Sequence, residues 1–171
     1  MFTLKTKRLL LRPFESTDSE AMCHIFCDKE VMRFSSGLQT KGWVDNWVSV
    51  KVPHYYKTQG YGPYAVVQVD NQEVIGYCGL FFFSDIDGQP ETEIGYRLAR
   101  SAWGQGYATE AARAVQGFAS YTLNIKRLIA LIDPANIASI HVAEKIGMHY
   151  EKEVMCENYT HPDYVYVFNR E

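Results

Sequence analysis

Apolar and polar positions alternate with two distinct periods along the chain. "RLLLRPF" (8–14) is a short apolar run that predicts a first strand, stopped by Pro13. Thr17 and Glu20 have the spacing of a capping box, so a helix is expected from near Thr17, with Met22, Ile25 and Phe26 on one face. Between Lys41 and Lys57, Val44, Trp47, Val48 and Tyr55 predict another helical segment that Pro53 ends or kinks. Strand signals follow over 63–69 and 73–83, and Asp87-Gly88 makes a hairpin turn into a returning strand over 92–99. The period then changes. Ala108, Ala111, Ala112, Val115 and Ala119 recur at helical spacing, 126–133 reads as a buried strand, and Asn136 opens a helix closed by Gly147. "MHYEKEVMC" and "DYVYVFNR" are two final strands joined by "ENYTHP".

The resulting order, β-α-α-β-β-β-α-β-α-β-β, describes one mixed α/β domain over residues 1–171, with a right-handed crossover in its late strand–helix–strand unit. No apolar run approaches the roughly 18 residues of a membrane helix, and the N-terminus is unlike a signal peptide, so no membrane association and a cytoplasmic address are expected. A net charge of −3 without a basic stripe argues against nucleic acid. Of four cysteines only Cys23 and Cys27 lie close together, and no second pair stands at zinc-ligand spacing. Buried or partly buried free thiols, and no metal, are therefore expected.

"WGQGYAT" (103–109) interrupts the pattern by placing two glycines at the mouth of a helix. Helix N-termini present unpaired N–H groups and partial positive charge, and glycines let an anion approach the main chain. Gly104 and Gly106 would give access, and the amides from Gln105 to Thr109 would donate, with Arg100 the nearest cation in sequence. A tight turn would have the same composition. A P-loop would need Gly-Lys-Ser/Thr, which is absent. A dinucleotide fingerprint finds Thr109 where a small third residue belongs, with Asp133 as its sole acidic support.

"EIGYRLARSAWGQGYATEA" followed by "KRLIALIDPANIASIHVAEKIGM" resembles the GNAT superfamily of acetyltransferases, most closely its ribosomal-protein N-terminal acetyltransferase-like branch, over nearly the whole chain. The resemblance implies a mostly antiparallel sheet with helices on both faces and a β-α-β crossover forming a coenzyme A site. It implies an acetyl-CoA-dependent N-acetyltransferase in which an amine attacks directly. The acceptor would be a protein N-terminus, a polyamine, an amino acid or a drug-like amine, and the enzyme a monomer or homodimer. The family's Gln/Arg-x-x-Gly-x-Gly/Ala loop falls on Trp103, Gly104, Gln105, Gly106, Tyr107 and Ala108, with Trp103 departing from the first position; Thr109 continues the amide cradle. Arg97 and Leu98 would pair with the pantetheine arm, the Leu98 N–H would stabilise the thioester carbonyl oxygen, and Asn136 and Ser139 would meet the arm and the thiol. The family's tyrosine acid falls on Ala143, so Ser139, one turn earlier, becomes the candidate acid.

Charge chemistry bears on the acceptor. A thiol has a pKa near 8.5, so an unprotonated leaving group costs only about 2 kcal/mol at pH 7. A lysine-type amine is free in roughly one molecule in 2,500 at pH 7, an α-amine in roughly one in seven. Glu93 is the candidate base, with Glu91 as the alternative. Trp43, Trp47, Tyr55, Tyr56, Tyr61 and Tyr64 are read as core or as the lining of an acceptor pocket, and "FFF" (81–83) as core or interface. "DIDGQPETE" lacks the spacing of a calcium loop, the five histidines form no triad, and the sequon at Asn158 carries no function without secretion. Two other classes stay open: a non-catalytic acyl-CoA-binding module and a nucleotide-binding redox domain.

Overall fold

A computed structural model describes residues 2–35, 37–156 and 160–170. The sequon at Asn158 lies outside the described residues. Eight strands form one sheet in the order β1-β2-β3-β4-β5-β6-β8-β7. They are β1 (Leu4–Lys5), β2 (Leu9–Arg12), β3 (Pro63–Gln68), β4 (Val74–Ile86), β5 (Gln89–Leu98), β6 (Arg127–Ile132), β7 (His149–Val154) and β8 (Asp163–Asn169). All neighbouring pairs are antiparallel except β5 with β6, which helix α4 (Tyr107–Tyr121) connects. The mixed, mostly antiparallel architecture expected from the sequence is the one observed. No helix among the described residues is long and apolar enough to cross a membrane.

Strand alternation distributes the core over both faces of the sheet. Cys78 and Leu80 of β4 and Ile94 and Leu98 of β5 pack with Ala111, Ala112, Val115 and Phe118 of α4. On the opposite face, Tyr77 packs with Met22, Ile25 and Phe26 of α1 (Ser19–Phe26) and with Val44 of α2 (Lys41–Asn46) and Trp47. Ile129, Val165 and Val167 extend that face toward β7. Helix α5 (Ile137–Lys145) begins at Asn136, whose side chain accepts from the Ser139 N–H, and ends at Gly147 with φ +85°.

Three local expectations are revised. A 3-10 turn (Ser16–Asp18) leads into the first α-helix at Ser19, and the capping carboxylate is Asp18, which accepts from the Glu15 N–H at 2.8 Å and from Arg12 at 2.7 Å, rather than the Thr17–Glu20 pair. Pro53 does not end its helix. A π-helical stretch (Trp47–Lys51) precedes α3 (Val52–Gln59), and this widened turn absorbs the missing N–H and bulky ring. Cys27 is exposed, because it caps the end of α1 rather than lying on its buried face.

The feature that matters most is where β5 and β6 part. They are bridged at a single position, Glu93 opposite Ile129. The Ala99 N–H donates to the Ile75 carbonyl, and the β4–β5 register then turns the main chain of Glu93, Gly95 and Arg97 toward β4. Main-chain groups of Ile94, Tyr96 and Leu98 face β6 instead. By the same logic the Arg170–Lys126 bond aims Ile129 and Leu131 at β5. Beyond Ile94 the two strands therefore present main-chain groups that do not pair with each other across an opening V.

Candidate active site

A cavity of about 660 Å³ fills the V. Its wall includes residues from both faces of the sheet: Glu93, Arg97, Phe81 and Phe83 on one, and Ile94, Tyr96, Ala112, Ser139 and Ala143 on the other. The cavity thus passes through the sheet between β5 and β6.

Glu93 is partly buried, and its Oε1 accepts from the Leu131 N–H at 3.4 Å. Burial pushes its carboxyl up to about 7, opposed by the Leu131 bond and by the charge of Arg97, while Asp163 adds a further upward push. A carboxyl held there exchanges protons at neutral pH. Glu91 is absent from the cavity wall. It is buried against Arg127 at 2.9 Å, and Arg127 also pairs with Glu151 at 2.8 Å.

Across the V the Tyr96 hydroxyl donates to Ser139 Oγ at 3.1 Å. Burial is the main cause that raises the Tyr96 phenol to about 12. Tyr96 was not singled out in the sequence. It shares a strand face with Ile94 and Leu98, and its signal was a polar-tipped residue in an otherwise apolar alternation. Asn136 and Ser139 both reach the cavity, and Ala143 lies there without a titratable group.

Leu98 is buried away from the cavity wall, and its carbonyl accepts from the Trp103 indole N–H at 2.9 Å. The glycine loop sits beyond it. Gly104 and Gly106 adopt φ of +72° and +79°, conformations natural to glycine. The first main-chain bond of α4 runs from the Glu110 N–H to the Gly106 carbonyl, and no acceptor among the described residues takes the N–H groups of Gly106, Tyr107, Ala108 or Thr109. The Tyr107 side chain turns away to accept from Gln68 at 2.9 Å, so only its amide faces the loop. The cation at the loop is Arg8 rather than Arg100. Arg8 donates to the Gln105 carbonyl at 2.9 Å, pairs with Glu110 at 2.7 Å and lies over the Tyr107 ring, whereas Arg100 points to Asp28. An arginine 97 residues upstream of Gln105 leaves no local trace in the sequence.

Two readings are open for the six aromatics named from the sequence, core and acceptor wall, and none of the six lines the cavity. Trp47 and Tyr64 are core, Tyr56 bonds the Pro63 carbonyl, and Trp43 stacks on Trp47. Phe34, Tyr77, Phe81 and Phe83 line the cavity instead. Asp133 serves the turn into α5, accepting from the Ala135 N–H at 2.8 Å and facing His161 at 3.3 Å, as turn chemistry requires.

Residues 8–149 match the family model "Acetyltransferase (GNAT) domain". A relative in Bacillus subtilis (strain 168), the "Uncharacterized protein YkkB", is 40% identical over 154 residues, covering 88% of this chain and 87% of that one. A solved acetyltransferase (GNAT family) from Bacillus anthracis superposes with a TM-score of 0.82 at 28% identity, covering 98% of each chain. The ribosomal L7/L12 alpha-N-protein acetyltransferase in complex with coenzyme A shares the fold, with a TM-score of 0.81 at 16% identity over 98% of each chain. With a family model covering most of its length, the chain belongs to the GNAT acetyltransferases and is an N-acetyltransferase that draws on acetyl-CoA.

Proposed function

We propose that this N-acetyltransferase carries an acetyl group directly to a primary amine, with both substrates bound at once from opposite faces of the sheet. The observation that carries this reading is the cavity through the V, with Glu93 on one wall and the Tyr96–Ser139 pair on the other.

The unpaired groups fit coenzyme A. The free amides from Gly106 to Thr109, with Arg8 beside them, would hold its pyrophosphate. The main chain of Tyr96 and Leu98, facing the gap, would pair with the pantetheine arm, joined by the Asn136 side-chain amide. Acetyl-CoA supplies the activated thioester. Its carbonyl oxygen falls to the first unpaired N–H past Ile94, that of Tyr96, and Leu98 is assigned to the arm because it lies toward Trp103 and off the cavity wall.

Glu93 takes the proton of the attacking amine. A base near 7 is half ionised at neutral pH and lies in the range where general-base catalysis works best. Tyr96 at about 12 is a much weaker acid than a thiol near 8.5, so full proton transfer from it would run uphill by about 5 kcal/mol. Its role is to hold Ser139 with the Ser139 proton free to hydrogen-bond the leaving sulfur. Ala143 leaves room for this arrangement. A non-catalytic acyl-CoA module would have no use for a titratable carboxyl in the reacting cavity, which disfavours that reading. The resemblance to the ribosomal-protein branch keeps a protein α-amine among the acceptors, beside small aliphatic amines.

The test is the pH dependence of kcat/KM for a panel of acceptor peptides and small amines at saturating acetyl-CoA. Wild type should show an ascending limb near pH 7, and Glu93→Gln should lose about 10²-fold or more together with that limb. A variant with the wild-type profile would remove Glu93 from the mechanism.

A further inference from the structure

Asp163 opens β8 on the same sheet face as Val165 and Glu93, is 6% exposed, and lines the cavity. Its Oδ1 has no hydrogen-bond partner among the described residues. A buried polar oxygen left without a donor costs about 1–3 kcal/mol, and more when it is charged. Burial and the neighbouring Asp133 hold its carboxyl above the usual range, and His161, already engaged by Asp133, opposes them only in part. Arg97, a cation on the cavity wall, lies over the Phe26 ring. Asp85, Glu93 and Asp133 add three further carboxyls to the cavity wall.

Register gives the spacing. Glu93 reaches the Leu131 amide, Leu131 pairs with Val165, and Asp163 lies two residues further along β8. Two residues span about 7 Å and one strand spacing about 4.8 Å, which puts Asp163 roughly 8 Å from the point Glu93 reaches. Two amino groups separated by three or four methylenes would bridge that span with each nitrogen at hydrogen-bond distance from its carboxylate.

Resting on the amine-acetyltransfer reading above, we propose that Asp163 binds a second, positively charged nitrogen of the acceptor, so that the preferred acceptors are aliphatic diamines. The distal ammonium supplies the donor that Oδ1 lacks. Its charge also lowers the pKa of the attacking amine, easing the proton removal assigned to Glu93.

The experiment compares 1,4-diaminobutane with butylamine as acceptors at pH 8 under saturating acetyl-CoA. Wild type should favour the diamine at least tenfold in kcat/KM, mainly through KM. Asp163→Asn should collapse that ratio toward one, with coenzyme A binding measured by calorimetry confirming a folded protein. Equal kcat/KM for the two amines in wild type, or an unchanged ratio in the variant, would overturn the proposal. Acetylation of a peptide N-terminus without any transfer to the diamine sinks the diamine assignment alone. Coenzyme A binding with no transfer to any amine sinks the amine-acetyltransfer reading along with it.

Discussion

Burial lifts the Glu93 carboxyl from 4.5 to about 7, so between those pH values the unfolded chain has released a proton that the folded chain still holds. Stability therefore falls as pH rises through this window, and above pH 7 the penalty is on the order of 3 kcal/mol before cavity water reduces it. Glu93→Gln, which keeps the shape and removes the charge, should raise the melting temperature by about 3 °C or more at pH 8 and leave it unchanged at pH 4. Equal gains at both pH values would mean that the carboxyl is not the source of the penalty. A residue that weakens the fold in the ionised form its chemistry needs is the usual mark of a working site. Glu93 and Ser139 were legible because each is a motif position whose own side chain suggests chemistry. Tyr96, though inside the same motif, and Arg8 and Asp163 outside it were not, because their meaning depends on residues 43, 97 and 30 or more positions away that only tertiary packing brings near.

Among the elements, the glycine loop and α4 act as one unit. Gly106 at φ +79° precedes the first turn, and a Cβ there would stand 3.6 Å from Arg8. Valine would add strain of roughly 1–2 kcal/mol and crowd the free amides. Gly106→Val should raise the acetyl-CoA KM at least tenfold while circular dichroism shows a folded protein. If it binds coenzyme A like wild type, the loop is only a turn. Strand boundaries over β3 to β6 followed the apolar alternation to within a few residues. What the pattern did not show was the two-residue β1, whose pairing is too short to leave a period, and the π turn before Pro53, where helical spacing is the same on either side. Nor could it show the V, since Ile94, Tyr96 and Leu98 look like any buried strand face until β6 is seen to leave after one pairing.

For the molecule as a whole, the V needs a fixed vertex. Glu91 on β5, Arg127 on β6 and Glu151 on β7 form an ion triad below the single β5–β6 bridge, tying three strands at the closed end. Glu91 is buried, so removing Arg127 strands its charge. Arg127→Met should cost about 2 kcal/mol or more, a fall of roughly 4–8 °C in melting temperature, given that Arg127 itself is partly solvated. An unchanged melting temperature would show that the strands hold together without the triad. The slit above this vertex has an evolutionary consequence. On the proposed reading, donor recognition is spread over the loop, α4 and α5, while the aromatic and acidic positions assigned to the amine lie on the other side of the same sheet. Descendants of such a chain can exchange Phe34, Phe83 or Asp163 and acquire a new acceptor without relearning how to hold the donor, so two specificities are inherited separately from one scaffold.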